Sequence, residues 1–217
     1  MKKSFAVMSV VLGLAGGAAS AATMTNVTYQ TPGNVFGSEN YKETLRISSS
    51  GSNRTVNAGE FQVIGDNGVG DFSAFCVDLF QNMVSGKDYT EMPGLFSSAI
   101  VDELDRLFTS VYAMVDTATE AAAFQVAIWE IITDFNAGYD LDSGDFSMSK
   151  DAAVEGLANT FLAGLDTAET GGYTLSFYQS DDSQNLVTAT PVPLPASALA
   201  LLAALGGLFG LRRRARA

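Results

Sequence analysis

Histidine is absent from this chain of 217 residues. Enzymes with a nucleophilic serine or cysteine generally use histidine as the base that activates the nucleophile, so the common triads are excluded. Histidine is also the commonest ligand of catalytic zinc. We therefore expect no metal, no cofactor and no enzymatic activity.

Basic residues are scarce: the chain has 12 against 24 acidic residues. Six of the basic residues lie in the two terminal segments, so the segment between them carries six basic residues and all 24 acids. Such an acidic segment is not expected to bind nucleic acid or an anionic membrane surface.

The first segment, residues 1–22, has the pattern of a secretory signal peptide. Two lysines precede an apolar run from Phe5 to Leu14, and small residues follow, with an A-x-A site at Ala19-Ser20-Ala21. The apolar run is short for a membrane span, although an uncleaved anchor is the alternative. We expect export and removal of this segment.

The last segment, residues 189–217, has three parts: a proline-rich approach, an apolar run over 196–211, and a tail with four arginines. An apolar helix over 196–211 is barely long enough to cross a bilayer. The arginines would hold its end in the cytoplasm and leave the preceding residues outside.

This tail resembles the VPLPA-CTERM variant of the PEP-CTERM sorting signals. The motif is formed by Val192, Pro193, Leu194, Pro195 and Ala196. The resemblance implies anchoring in the inner membrane and recognition by an exosortase-type sorting enzyme. The protein would then be transferred to the cell surface or released.

The remaining segment, residues 23–188, is long enough for one exported domain. Short strands are predicted at 41–47, 55–64 and 72–79, separated by glycine- and asparagine-rich turns. A period of three and four residues predicts an amphipathic helix after Ser97, and Thr117 with Glu120 forms a capping box for a second helix. A third helix is predicted over 150–165, and strands return near 173–179 and 186–187. The fold class is therefore α+β.

Cys76 is the only cysteine, so an intramolecular disulfide is impossible in a chain that is expected to be exported. It lies on a predicted strand, where alternation places it on the side opposite Phe75. A buried structural thiol is the simplest interpretation.

Gln125 is the only amide side chain in the apolar stretch AAAFQVAIWE. On a helix it shares a face with Ile128 and Trp129, so it is predicted to point into the core. A buried amide has to be hydrogen-bonded or chemically changed. Attack of the Cys76 thiolate on the Gln125 amide carbon, with loss of ammonia, would give an internal thioester. An apolar pocket of Phe75, Phe124, Ile128 and Trp129 would keep water away from it.

These residues also resemble the Cys-Gln thioester domains of bacterial surface adhesins. Phe75-Cys76-Val77 is similar to their aromatic-Cys-aliphatic motif, and the stretch from Gln125 to Trp129 is similar to their Q-x-A-I-W motif. The resemblance implies that Cys76 and Gln125 form the thioester. The implied targets are amines or hydroxyls of a surface or matrix polymer or of a protein.

Two groups of acidic residues carry weaker signals. Asp140, Asp142 and Asp145 have part of the pattern of a calcium loop, but solvated turns are the favoured interpretation. Glu130 and Asp134 are placed by helical spacing on an outer face, where charged residues normally lie.

Two functions remain open from the sequence. In the first, the chain is a surface-sorted, adhesin-like protein with a reactive thioester. In the second, it is a passive envelope or extracellular-matrix protein in which Cys76 is a packed thiol and Gln125 is hydrogen-bonded.

Overall fold

Two β-sheets and three helices form the fold in the computed structural model, which describes residues 24–135 and 137–193. The strands are β1 Met24–Tyr29, β2 Lys42–Ser49, β3 Ser52–Gly59, β4 Phe61–Gly65, β5 Gly70–Cys76, β6 Lys87–Glu91, β7 Phe146–Ser149, β8 Tyr173–Gln179 and β9 Leu186–Pro191. The helices are α1 Ser98–Val111, α2 Ala118–Asp134 and α3 Ala152–Ala163, with short 3-10 turns at Tyr112–Met114 and Leu165–Thr167. The α+β class is confirmed.

A closed barrel contains six of the strands in the order β1-β4-β5-β9-β8-β6. Every pair of neighbours in it is antiparallel. The last two described strands, β8 and β9, close the barrel between β5 and β6. The N-terminal and C-terminal strands therefore belong to one sheet, which their separate positions in the sequence did not indicate.

A second, three-stranded sheet has the order β3-β2-β7. The predicted strand at 55–64 is divided between the two sheets: β3 belongs to this sheet and β4 to the barrel. The division falls at Glu60, directly after Gly59. A Cβ at Gly59 would lie 2.0 Å from the Tyr41 carbonyl oxygen, so only glycine allows this close approach of the two backbones.

Each of the three helices begins directly after a side chain that caps it, and Thr117 is the cap that the sequence predicted. Ser97 accepts a hydrogen bond from the Ile100 amide at 3.4 Å, and Thr117 accepts one from the Glu120 amide at 3.2 Å. Asp151 caps α3 in the same way through the amides of Ala153 and Val154. These side chains satisfy N–H groups that have no partner within the helix.

Helix α2 is not amphipathic, because it is enclosed on most of its surface. It packs against α1, α3 and the strands β2, β3 and β7. Its buried residues include Gln125, Glu130 and Asp134 as well as the apolar ones. This central helix brings residues of the three-stranded sheet and of the barrel together.

The predicted terminal signals lie largely outside the described residues. This applies to the signal peptide at 1–22, to the helix at 196–211, and to Leu194, Pro195 and Ala196 of the sorting motif. Strand β9 continues to Pro191, past the domain boundary predicted at residue 188, and the Val192 amide donates to the Gly172 carbonyl at 2.9 Å. Within the described part of the chain, no helix is long and apolar enough to cross a membrane.

Candidate functional site

Cys76 is the last residue of β5, at a point where the barrel ladder is incomplete. On one side β5 pairs with β9, and the next residue, Val77, donates its amide to the Asn185 carbonyl at 2.9 Å. Successive residues of a strand direct their backbone groups to alternate edges. The N–H and C=O of Cys76 therefore face the other edge, where β4 begins only at Phe61, opposite Ala74.

Gln125 fills this vacant edge with its side chain. Its Oε1 accepts a hydrogen bond from the Cys76 amide at 2.8 Å, and its Nε2 donates to the Cys76 carbonyl at 2.8 Å. Both residues are only 1% exposed. The amide thus supplies the donor and the acceptor that a neighbouring strand would supply, and the two residues singled out in the sequence are in direct contact.

The Cys76 thiol is held by the backbone of Asp78. Its Sγ donates to the Asp78 carbonyl at 2.7 Å and accepts from the Asp78 amide at 3.2 Å. Burial raises the pKa of the thiol to about 12, against the opposing effect of the hydrogen bond from the Asp78 backbone. At neutral pH the free thiol therefore keeps its proton, which makes it a weak nucleophile.

A cavity of about 620 Å³ opens beside Cys76 and Gln125. Its lining is mixed. Aliphatic, aromatic and sulfur-containing side chains are contributed by Val35, Phe36, Ile47, Val56, Phe61, Leu79, Met83 and Trp129, and polar ones by Arg54, Thr55, Asn57, Asp78, Gln81, Asn82 and Gln184. The cavity is therefore wide enough for the end of a long side chain or a small molecule, and it reaches the predicted reaction centre.

The segment after Cys76, residues 77–86, has a fixed course along this cavity. The Asp78 carboxylate accepts the amides of Phe80 and Gln81, forming an Asx turn. Arg54 donates to the carbonyls of Leu79 and Phe80, and its guanidinium lies 5.3 Å from the centre of the Phe80 ring. Sequence reasoning did not identify these residues, because their contacts join segments that are distant in the chain.

Of the four residues predicted to form the pocket, Trp129 lines the cavity. Phe75 and Phe124 lie in the core beside it, with ring centres 4.8 Å apart, and both pack against Phe108. Ile128 is also fully buried in the core. Alternation along β5 explains the position of Phe75, since it points away from the side of Cys76.

The prediction that Glu130 and Asp134 lie on an outer face is wrong. Glu130 is 0% exposed and Asp134 is 5% exposed. The segment 137–146 donates backbone amides to both carboxylates: the Asp140 amide donates to Glu130 at 2.7 Å, and the amides of Asp145 and Phe146 donate to Asp134 at 3.0 and 2.8 Å. Helical spacing alone does not reveal a loop that supplies buried N–H groups.

Burial raises the pKa of Glu130 to about 7, and the charges of Asp134 and Asp140 act in the same direction. The hydrogen bond from the Asp140 amide opposes this shift. Only one oxygen of Glu130 is paired, because Oε2 is buried and has no hydrogen-bond partner among the described residues. With a pKa of about 7, the Glu130 carboxyl is protonated at mildly acidic pH and loses its proton as the pH rises through neutrality.

The aspartates of YDLDSGDF form a turn. The Asp140 carboxylate accepts the Asp142 amide at 3.1 Å and the Ser143 hydroxyl at 2.7 Å. Within residues 24–135 and 137–193, no group of three or more acidic or cysteine side chains is placed to hold a metal ion. The interpretation as an Asx turn agrees with these contacts.

No family model matches the sequence, and no curated protein matches it. The fold is similar to the N-terminal domain of the Streptococcus pyogenes pilus tip adhesin Cpa, with a TM-score of 0.40 and 19% identity over 68% of this chain and 94% of that one. It is also similar to the N-terminal thioester domain of a surface protein from Clostridium perfringens, with a TM-score of 0.39 and 14% identity over 69% of this chain and 100% of that one. A variant of that domain with cysteine replaced by alanine gives a TM-score of 0.42 and 13% identity over 61% and 90%. At this level of similarity, function has to be inferred from the residues of the site.

Proposed function

We propose that this chain is an exported surface protein in which Cys76 and Gln125 form an internal thioester that attaches covalently to a partner. One observation carries the proposal: the Gln125 amide is fixed by two hydrogen bonds to the backbone of the only cysteine. The fixed amide supports it because a reaction between held groups avoids much of the entropic cost of bringing them together.

In the forming step, Cys76 Sγ loses its proton and attacks the Gln125 amide carbon. The C–N bond then breaks, and Nε2 leaves with that proton as ammonia. During the attack negative charge develops on Oε1, which already accepts the Cys76 N–H at 2.8 Å. A donor that is in place before the charge appears lowers the barrier.

In the attachment step, a partner amine or hydroxyl attacks the same carbon. The bond to sulfur breaks, the Cys76 thiol takes up the proton, and the Gln125 carbonyl stays bonded to the partner. The Gln125 carbonyl is used up in the bond to the partner, so each chain makes one such bond. The protein therefore reacts once and is not a catalyst, and it needs no cofactor.

The proposed route to the surface uses both terminal segments. Residues 1–22 direct export, and residues 189–217 anchor the chain in the inner membrane for an exosortase-type enzyme. The partner would be a surface or matrix polymer or a protein amine. Nucleic acid is not proposed, because the exported segment is strongly acidic.

A passive envelope or matrix protein is the second candidate. Two observations favour it: the Gln125 amide is satisfied by its hydrogen bonds, and the raised pKa keeps the Cys76 thiol protonated at neutral pH. In that case Gln125 would simply complete the ladder of β5.

Methylamine distinguishes the two candidates. A thioester would take up one methylamine at Gln125 and expose one thiol to alkylation after denaturation. The variants Cys76→Ala and Gln125→Ala should take up none. Gln81→Ala is the matched control, since Gln81 lines the same cavity but takes no part in the bond. Uptake equal in all four proteins, or absent from all four, contradicts the proposed thioester.

A further inference from the structure

Trp129 lies one helical turn after Gln125, so both side chains lie on the same face of α2. Both line the cavity that also contains Cys76, and the indole is 3% exposed. Trp129 is the only tryptophan of the chain. Its ring packs near Phe146, with ring centres 6.1 Å apart.

The indole N–H is buried and donates no hydrogen bond to any residue in the described ranges. Leaving a buried donor unpaired costs about 1–3 kcal/mol, so buried N–H groups normally have a partner. An apolar side chain would fill the same space without this cost. An N–H at this position is explained if its acceptor is present only during the reaction of the site.

The Cys76 sulfur is the acceptor that the site offers. Trp129 and Cys76 line the same cavity, and the indole N–H lowers the pKa of the thiol, in opposition to the larger effect of burial. In the thiol form the sulfur already exchanges hydrogen bonds with the backbone of Asp78. A negatively charged sulfur accepts stronger hydrogen bonds than a neutral thiol does.

We propose that Trp129 Nε1–H is the hydrogen-bond donor that stabilises negative charge on Cys76 Sγ when the thioester forms and when it is opened. This inference rests on the proposed thioester. It gives the tryptophan a chemical part in addition to its part in the wall of the cavity.

The charge on sulfur follows from the bonds that change. When an amine attacks the Gln125 carbonyl carbon, the carbon–sulfur bond breaks and its electron pair goes to Sγ. The amine then loses a proton, and the sulfur takes one up to become a thiol. Between these events the sulfur is a thiolate, held by the N–H groups of Trp129 and Asp78. Burial raises the pKa of this thiol, which makes its thiolate a poor leaving group, and the two donors act against that effect.

The single tryptophan makes a clean test possible. Expression in a tryptophan auxotroph supplied with benzothienylalanine replaces only this indole N–H by sulfur and keeps the shape of the ring. We expect the thioester of this protein to react with methylamine about 100- to 1000-fold more slowly than that of the natural chain, as for other preorganised donors. Intact mass measured against time gives the rate.

Phe146→Leu serves as the packing control, because it loosens the surroundings of the ring and keeps the N–H. Its rate should stay within about threefold of the natural rate. A thioester that forms in the benzothienylalanine protein and reacts at the natural rate would overturn the role of Trp129 and leave the thioester standing.

A natural chain without any thioester would overturn the proposed function, and the donor is then judged from the ionisation of the thiol. Iodoacetamide alkylates the thiolate, which is the form that the indole N–H would stabilise. We expect Cys76 of the folded benzothienylalanine protein to be alkylated about tenfold more slowly than Cys76 of the folded natural chain at the same pH. Equal rates would show that the indole N–H does not stabilise charge on the sulfur.

Discussion

The side-chain amide of Gln125 pairs with both backbone groups of Cys76, at 2.8 Å each, where strand β4 does not reach. Helix α2 is thereby fastened to the end of strand β5. A glutamine in an apolar stretch of helix is explained by this contact, whether or not the two side chains go on to react.

Replacing Gln125 by leucine should destabilise the fold. It leaves the N–H and C=O of residue 76 buried and unpaired, at a cost of about 1–3 kcal/mol for each group. The change is best made in a Cys76→Ala background, so that loss of a covalent bond plays no part. Urea unfolding measures the effect. Gln81→Leu is the control, and an equal stability of the two variants would contradict the pairing.

Glu130→Gln should stabilise the protein at alkaline pH and have little effect at acid pH. The pKa of Glu130 is raised to about 7 in the folded state, above its ordinary value of 4.5. The unfolded chain therefore releases this proton first as the pH rises. The contribution of the group is fully present below about pH 4.5 and is lost as the pH rises through about 7.

The shift corresponds to at most about 3 kcal/mol. Thermal or urea unfolding at pH 5 and pH 8 should therefore show a smaller loss of stability in Glu130→Gln than in the natural chain. Glu39→Gln is the control, because Glu39 is exposed. A parallel loss in Glu130→Gln and the natural chain would show that Glu130 does not titrate as described.

Gly144→Ala should cost more stability than Gly138→Ala. Both glycines have a positive φ, +107° and +85°, so an alanine is strained at either position. At Gly144 the added Cβ would also lie 2.8 Å from Asp134 Oδ2, which holds the Phe146 amide. Nothing lies within 4 Å at Gly138. We expect a further loss of about 1–2 kcal/mol at Gly144, measured by urea unfolding, and equal losses would contradict it.

Phe124→Ala should destabilise the protein by about 3–5 kcal/mol, because it opens a cavity in a fully buried aromatic cluster. The Phe124 ring lies 4.8 Å from the rings of both Phe75 and Phe108. Phe80→Ala provides the comparison, since that ring is 55% exposed and contacts Arg54. It should cost less than about 1 kcal/mol. Similar losses of stability in both variants would contradict a large contribution of the aromatic cluster to stability.

Local signals in the sequence predicted much of the fold. The apolar period after Ser97 and the capping box of Thr117 predicted the starts of two helices, and alternation predicted β8 at its observed bounds. These features depend on neighbours in the chain. The closure of the barrel by β8 and β9 depends on pairing with strands far away in sequence, and no local pattern reports it.

The candidate site could also be predicted only in part, because some of its features are local and others depend on distant segments. Cys76 and Gln125 stood out because each is chemically unlike its surroundings, and the structure brings them into contact. Glu130 was predicted on the wrong face, because its burial depends on the segment 137–146, which donates the Asp140 amide to it. The unpaired N–H of Trp129 is invisible in the sequence, since only the packed structure shows that no acceptor is bound.

The most direct test of the account is the intact mass of the exported protein, purified from cells that express the full chain, beside that of Cys76→Ala. Resistance of the native thiol to alkylation is not decisive, because Cys76 is 1% exposed and has a raised pKa of about 12. The mass is decisive, because a thioester forms with loss of ammonia. The account predicts that, after allowance for the substitution, the natural chain is lighter than Cys76→Ala by one ammonia. Equal corrected masses, with the natural chain carrying an intact Gln125 amide, would contradict it.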